Sequence, residues 1–352
     1  MRALICPHIR RLKAYVPGEQ PKIHGLIKLN TNENPYPPSA RVFEVLKRAI
    51  DARLRLYPDP ASLSLRKTIA SRFRCGTDNV FVGNGSDEIL ALCLRAFAGE
   101  KRKVCFPEPS YSLYPVLVQI QHAKPLIIEF GKNYALGLKR FRRDAALTFI
   151  ANPNAPSGTF IPKRALARLA RRLKGVLVID EAYADFADEN CSSLFKKFPN
   201  VLITRSFSKS YSLAGMRVGF ALGDRALIEA LLKVKDSYNV DRLAQAAAEA
   251  AFRDQRHLRR TVKRIRRTRE RLSRTLLKRG WEVLPSSANF VFARPPGIPA
   301  ARVFRHLRRK KVLVRYFPGK MTGRFLRISV GTDKEIDFLL KAIHSMPRLM
   351  KS

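Results

Sequence analysis

Acidic residues are scarce in this sequence: 28 Asp and Glu stand against 68 Lys and Arg in 352 residues, a formal charge of +40. A field of that sign attracts anions in general, so the partners that suit it are negatively charged. Cysteine is sparse as well. The five residues Cys6, Cys75, Cys93, Cys105 and Cys191 are odd in number and widely scattered, with no C-x-x-C pair. That excludes a disulfide scaffold and a zinc or redox motif, and it suits free thiols in a reducing compartment. The six histidines include no H-E-x-x-H and no close cluster, so no metal site is expected. No stretch approaches the roughly 20 apolar residues that span a bilayer, and the start soon runs into charge, which makes the cytoplasm the expected location. Internal repeats and low-complexity tracts are missing too.

What is present is an ordinary globular composition, 46% apolar, over a length that suggests two or three regions in one compact unit. The densest positive stretch, residues 253–279, invites comparison with a nucleic-acid-binding arm. Its apolar residues, Leu258, Val262, Ile265, Leu272 and Leu276, follow the three-and-four spacing of an amphipathic helix. A docked helix with a solvated basic face is therefore the favoured reading, and a nucleic-acid-binding protein is kept as the alternative from another class.

Residues 1–40 read as a proline-punctuated arm ending in Asn32-Glu33-Asn34-Pro35-Tyr36-Pro37-Pro38. Helical spacing follows over 39–54 and again up to Arg72. Strand-like runs at 80–82, 103–106, 126–130, 147–150, 176–179 and 201–204 then alternate with helices near 87–97 and 163–173. This α/β alternation indicates a mainly parallel sheet covered on both faces, over residues 41–250. After Ala250 the long basic helix leads into short strands at 290–292, 312–314 and 325–330, a helix near 300–309 and a last one from Lys334. Residues 251–352 thus read as a smaller α+β domain.

Three segments carry chemistry. Gly83-Asn84-Gly85-Ser86-Asp87-Glu88 lies between a strand and a helix, where free backbone N–H groups hold a phosphate; a tight turn is the plain alternative. It lacks the third glycine of G-x-G-x-x-G and is no Walker loop. Asp180, in Val178-Ile179-Asp180-Glu181-Ala182-Tyr183, ends a buried strand, where α/β folds place ligands; it suits a cationic ring nitrogen, or merely an acidic helix start. Ser206-Phe207-Ser208-Lys209-Ser210, followed by Gly215, Arg217 and Gly219, groups hydroxyls and an arginine around a lysine amine able to attack an aldehyde. A surface lysine in a serine-rich loop would not explain its apolar, glycine-bearing flanks.

Together, in this order and spacing, the three segments resemble the fold-type I pyridoxal-phosphate enzymes, specifically the class I/II aminotransferases. Further likeness runs almost end to end, through Asn32-Glu33-Asn34-Pro35, Tyr57-Pro58-Asp59-Pro60, Pro109-Ser110-Tyr111, the loop from Asn152 to Gly158, and Phe325-Leu326-Arg327 through Gly331. It is greatest toward the branch acting on histidinol phosphate. The resemblance implies a large domain with a seven-stranded sheet, a smaller α+β domain, an N-terminal arm, and pyridoxal 5'-phosphate bound to Lys209. Lys209 would move the proton between substrate and cofactor carbons, and Asp180 would keep the ring nitrogen protonated. Tyr183 would hydrogen-bond the ring oxygen and Tyr111 would stack on the ring. Ser86 and Asp87 through their backbone, with Ser206, Ser208 and Arg217, would hold the phosphate.

The same likeness implies a homodimer in which Tyr57 reaches the neighbouring site, a buried tyrosine in a turn being the alternative. It makes Arg327 the grip on the anionic end of the substrate, with Arg315 as helper and Tyr15 closing over it. Either arginine could instead pair with an acidic neighbour. One departure stands out: Ala155 precedes Pro156 where many relatives carry an asparagine that bonds the ring oxygen. Asn154 or Tyr183 is left to supply that contact. The implied reaction is reversible transfer of an amino group between L-histidinol phosphate and 2-oxoglutarate, giving imidazole-acetol phosphate and L-glutamate, in histidine biosynthesis. An aromatic amino-acid aminotransferase and a phosphothreonine-type decarboxylase of the same fold remain alternatives.

Overall fold

The computed structural model describes residues 4–346. The strand β1 (Ile27–Lys28) belongs to the arm, and the next seven build one sheet: β2 (Val80–Gly83), β3 (Lys103–Glu108), β4 (Lys124–Glu129), β5 (Leu147–Ala151), β6 (Val176–Asp180), β7 (Val201–Ser206) and β8 (Gly219–Leu222). Strands β2, β5, β7 and β8 are buried at every position, as runs of Val, Ile, Leu and Phe must be when both faces are covered. Their order is β2-β8-β7-β6-β5-β3-β4. Only β8 runs against its neighbours, which it meets through Gly83↔Gly219 and Ser206↔Gly219. The carboxyl ends of β2, β3, β5, β6 and β7 therefore lie along one edge, together with the start of β8. The outer strand β4 exposes Lys124, Pro125 and Glu129, residues that discourage pairing with another edge.

Helices follow the apolar spacing. After the short α1 (Pro7–Arg10) come α2 (Ala40–Ala49), α3 (Leu63–Phe73), α4 (Gly85–Cys93), α5 (Leu113–Ile120), α6 (Lys163–Arg172), α7 (Arg225–Val234) and α8 (Arg242–Arg253). Side chains of Ser39, Asp224 and Asp241 accept from the first turns of α2, α7 and α8, each cap contributing about 1 kcal/mol. The expected helix over 39–54 breaks at Ile50, because Asp51 captures the Arg53 N–H and starts a separate 3₁₀ turn. The one near 87–97 begins earlier, at Gly85, and widens into a π turn over Leu94–Ala98.

The basic segment is α9 (Gln255–Lys278), about 36 Å long at 1.5 Å per residue. Leu258 joins the core of the main sheet, Ile265 packs with Tyr36, Phe186 and Val330, and Leu272 and Leu276 enter a second core. One apolar face thus ties together all three. The polar face is partly neutralised: Arg266 pairs with Asp188, Arg271 with Asp333 and Asp337, and Arg264 lies over the Tyr36 ring at 4.0 Å.

The second core lies under an antiparallel sheet ordered β12 (Arg315–Tyr316), β13 (Leu326–Ser329), β10 (Phe290–Arg294), β9 (Glu282–Val283), flanked by α10 (Ala300–Arg309) and α11 (Asp333–His344). Thr332 and Glu335 form a capping box at the start of α11. The arm joins this region through β1, which pairs in parallel with β11 (Val312–Leu313) and buries Leu29 in its core. No helix among the described residues is long and apolar enough to cross a membrane.

Candidate active site

Chain segments that leave the carboxyl edge of the main sheet surround a cavity of about 650 Å³. Its first wall is a phosphate-sized cradle. Gly85, at a φ of +78°, turns the chain out of β2 into α4, whose first turn includes the N–H groups of Ser86 and Asp87. A methyl carbon at Gly85 would fall 2.8 Å from the Arg217 guanidinium, and one at Gly219 would fall 2.6 Å from the Ser86 nitrogen. Only glycine permits this approach. Arg217 donates to Asp87 at 3.2 Å and to Ser208 at 3.3 Å, and the Ser206 hydroxyl accepts from the Ser208 N–H at 3.1 Å. Ser86, Asp87, Ser206, Ser208 and Arg217 therefore converge as a donor-rich pocket on a helix N-terminus.

Asp180, at the end of β6, reaches the floor of the cavity. It is buried, and its carboxylate accepts from Tyr114 at 3.0 Å, Thr204 at 3.3 Å and the Ala182 N–H at 3.2 Å. Burial pushes its pKa up to about 6 even against these donors. A carboxylate so placed, with no cation among its bonded partners, matches a cationic ring nitrogen. Lys209 follows β7; its Nζ donates to the Thr31 carbonyl at 3.2 Å and stands 5.9 Å from the Tyr183 ring centre. Behind it Arg205 joins Glu181 and Asp185, and Asp185 accepts from Ser210, so the loop carrying the lysine is braced by a buried ion network. Tyr111 donates to Asp87 at 2.8 Å, and burial raises its pKa.

The opposite wall is made by the arm and the small sheet. Arg315 and Arg327 face each other across β12 and β13, an arrangement that costs energy unless an anion lies between or beside them. Arg327 donates to the Asn30 carbonyl at 2.8 Å, but its Nε is buried without a partner, and burial lowers its pKa. Arg315 donates to the carbonyls of Val16 and Pro17 at 2.9 and 3.1 Å and so holds the arm. Neither arginine has an acidic partner among the described residues. Tyr15 lines the same end, edge-on to Tyr111 at 6.1 Å.

Two expected residues lie elsewhere. Asn154 does not line the cavity: its carbonyl oxygen accepts from Ser110 at 2.7 Å, and its amide donates to Pro109 and Ser157 at 3.2 and 2.9 Å. With its amide taken by Pro109 on a neighbouring loop and by Ser157 in its own, Asn154 turns no donor into the cavity. Ala155 does line the cavity, packed with Ala288, Phe290 and Tyr183. Tyr57 is 76% exposed and stacks on Tyr238 at 4.2 Å, away from the cavity of its own chain. That excludes a buried turn tyrosine.

Sequence reasoning missed Thr31, Asn32, Tyr114, Thr204 and Phe317. The asparagine-rich end of the arm was visible but carried no role. Tyr114, three residues beyond Tyr111 and just inside α5, packs edge-on against it at 5.6 Å and lies beneath the cavity rather than in its wall.

Three comparisons bear on this geometry. The profile of the family described as aminotransferase class I and II matches residues 24–343. Histidinol-phosphate aminotransferases from Synechocystis sp. and Syntrophotalea carbinolica are each 45% identical to the chain; the matches cover 97% and 96% of it and 98% and 97% of those proteins. The crystal structure of histidinol-phosphate aminotransferase from Sinorhizobium meliloti in complex with pyridoxal-5'-phosphate superposes with a TM-score of 0.89 at 26% identity, covering 98% of this chain and 99% of that one.

Proposed function

The chain belongs to the aminotransferase class I and II family, and from that premise we propose that it transfers an amino group reversibly between L-histidinol phosphate and 2-oxoglutarate, giving imidazole-acetol phosphate and L-glutamate. One observation carries the reading. A single cavity is lined by the amine-bearing Lys209 and the carboxylate of Asp180, by an anion cradle at Arg217, and by a second cationic group at Arg327. A cofactor phosphate needs the first cationic end, and a substrate phosphate or carboxylate needs the second.

The residues fit pyridoxal phosphate on physical grounds: a glycine-built cradle for its phosphate, and a buried, proton-hungry carboxylate for its ring nitrogen. When bound, this cofactor supplies an aldehyde and an electron-accepting ring. The protein supplies the rest. Asp180 in its carboxylate form holds a proton on the ring nitrogen. With the cofactor bound, the Lys209 amine would take up and return the proton at the substrate carbon, as general base and then general acid. Tyr183 presents a hydroxyl beside the place left open by Ala155. Arg327, part-buried and with an unpartnered Nε, pairs with the anionic end of either substrate. Phe317, whose ring faces both arginines, narrows that end.

Homodimer formation is part of this reading. Leu54, Leu56, Tyr57, Leu63 and Tyr238 are exposed apolar residues on neighbouring segments, as a face covered by a second copy requires. The cytoplasm suits a biosynthetic enzyme with five unpaired cysteines. The test is to purify the protein, trap the lysine-bound cofactor with borohydride, and ask which donor discharges the visible absorbance. A peptide labelled at Lys209 and discharge by histidinol phosphate are expected. No trappable cofactor would defeat the whole reading; discharge by phenylalanine but not histidinol phosphate would replace the substrate with an aromatic amino acid.

A further inference from the structure

Asn32 sits on the arm, 1% exposed, at a left-handed φ of 55°, a conformation asparagine tolerates better than most residues. Its bonds form a closed circuit. The Asn32 N–H donates to the Ser329 hydroxyl at 2.8 Å, and that hydroxyl donates in turn to the Asn32 side-chain oxygen at 2.9 Å. The side-chain oxygen is thereby committed to Ser329. The NH₂ group is turned the other way, and it donates to the Tyr183 hydroxyl at 2.9 Å. Asn289 completes the clamp by donating to the Asn32 carbonyl at 2.9 Å.

The consequence falls on Tyr183. A phenolic hydroxyl lies near its ring plane and both donates and accepts. With Asn32 donating to the oxygen from one side, the proton of Tyr183 is directed to the other. No acceptor for it exists among the described residues, and Tyr183 lines the cavity. Ala155 removes the second donor that many class I/II aminotransferases bring to the ring oxygen, so at this position everything depends on which way one proton points.

We propose that Asn32 is a positioning residue that fixes Tyr183 as the hydrogen-bond donor to the cofactor ring oxygen, and that the Ser329 bond ties this donor to the strand carrying Arg327. The inference rests on the pyridoxal-phosphate reading above. Its readout is the pH at which the lysine-bound cofactor changes colour. The ring oxygen carries more negative charge once the neighbouring nitrogen has lost its proton, so a donor to that oxygen lowers the titration midpoint.

The experiment titrates the absorbance of the cofactor-loaded enzyme in the wild type, Asn32→Asp, Asn32→Ala, Ser329→Ala and Tyr183→Phe. Tyr183→Phe raises the midpoint. Asn32→Ala and Ser329→Ala raise it by about 0.5 to 1 pH unit, the size expected for one weakened hydrogen bond. Asn32→Asp, nearly the same shape, raises it as far as Tyr183→Phe, because a carboxylate takes the tyrosine proton for itself. Asn32→Ala adds nothing in the Tyr183→Phe background. If a position-32 variant fails to fold, Ser329→Ala carries the test, since it frees the amide to turn over. Midpoints at the wild-type value in the position-32 and Ser329 variants, beside a raised one in Tyr183→Phe, would overturn the inference and leave the cofactor reading intact. A wild-type protein with no such chromophore would overturn that reading first.

Discussion

Tyr114 donates its hydroxyl proton to Asp180 across 3.0 Å, and both side chains are buried. The bond steadies the carboxylate but does not cancel the cost of burying its charge, which holds the pKa at about 6 against an ordinary 3.8. Between those pH values the folded cofactor-free protein binds more protons than the unfolded chain. Stability therefore falls as pH rises from about 4 to about 6, and the loss, about 2–3 kcal/mol, persists above. Thermal unfolding of cofactor-free protein from pH 4 to 7 shows this decline, and Asp180→Asn abolishes it. Loading the wild type with pyridoxal phosphate also removes the decline, because the ring cation then offsets the charge.

At Arg327 the expected change is in binding. Arg327→Gln removes a part-buried guanidinium whose buried Nε awaits a partner, and kcat/KM for both anionic substrates falls by about 10²–10³. Arg327→Lys recovers only part of this, since an ammonium cannot offer two parallel donors. Inorganic phosphate raises the melting temperature of the wild type more than that of Arg327→Gln; equal rises would show that the arginine is not an anion site.

Restoring an asparagine at position 155 tests the gap beside Tyr183. Ala155 is buried against Ala288 and Phe290, so the amide of Ala155→Asn has no protein partner ready. The cofactor-free variant loses about 1–3 kcal/mol in urea unfolding. Cofactor binding recovers part of that loss, and the colour-change midpoint drops below that of the wild type. A rise instead would mean that the side chain does not face the ring oxygen.

Shared sites predict complementation. In a mixed dimer of Tyr57→Phe and Lys209→Ala subunits, one site has an intact lysine and an intact Tyr57 from the neighbour, while the other has neither. One equivalent of cofactor per dimer then binds with wild-type affinity, although the Tyr57→Phe homodimer binds it more weakly. Weak binding in the mixed dimer as well would place Tyr57 outside any shared site.

The parts of the site legible in the sequence are those whose partners the fold brings together by rule. Strand ends of an α/β sheet meet at one edge, so Gly83–Glu88, Asp180 and the Lys209–Arg217 stretch could be assembled from their local context alone. Asn32 could not be read this way. Its partners Tyr183, Asn289 and Ser329 lie 151, 257 and 297 residues away, and the motif around it gives no hint of them. Asn154 shows the converse. Adjacent to the gap in sequence, it is turned inward because Ser110 and Pro109, on another loop, take its side chain. A one-residue offset in a loop reverses a side chain's direction, and composition carries no trace of that. The basic helix was legible because burial of its apolar face follows from spacing, whatever its charge.

The pairing of Ile27–Lys28 with Val312–Leu313 imposes a schedule on biosynthesis. All seven strands of the large sheet, and with them the anion cradle, Asp180 and Lys209, have been translated once the ribosome passes Leu222. The arm waits longer. Translation from residue 28 to residue 313 takes about 15 to 60 s at about 5–20 residues per second, and until then β1 has no strand to join. A nascent chain of this protein thus acquires the end proposed to hold the cofactor before the end proposed to recognise the substrate.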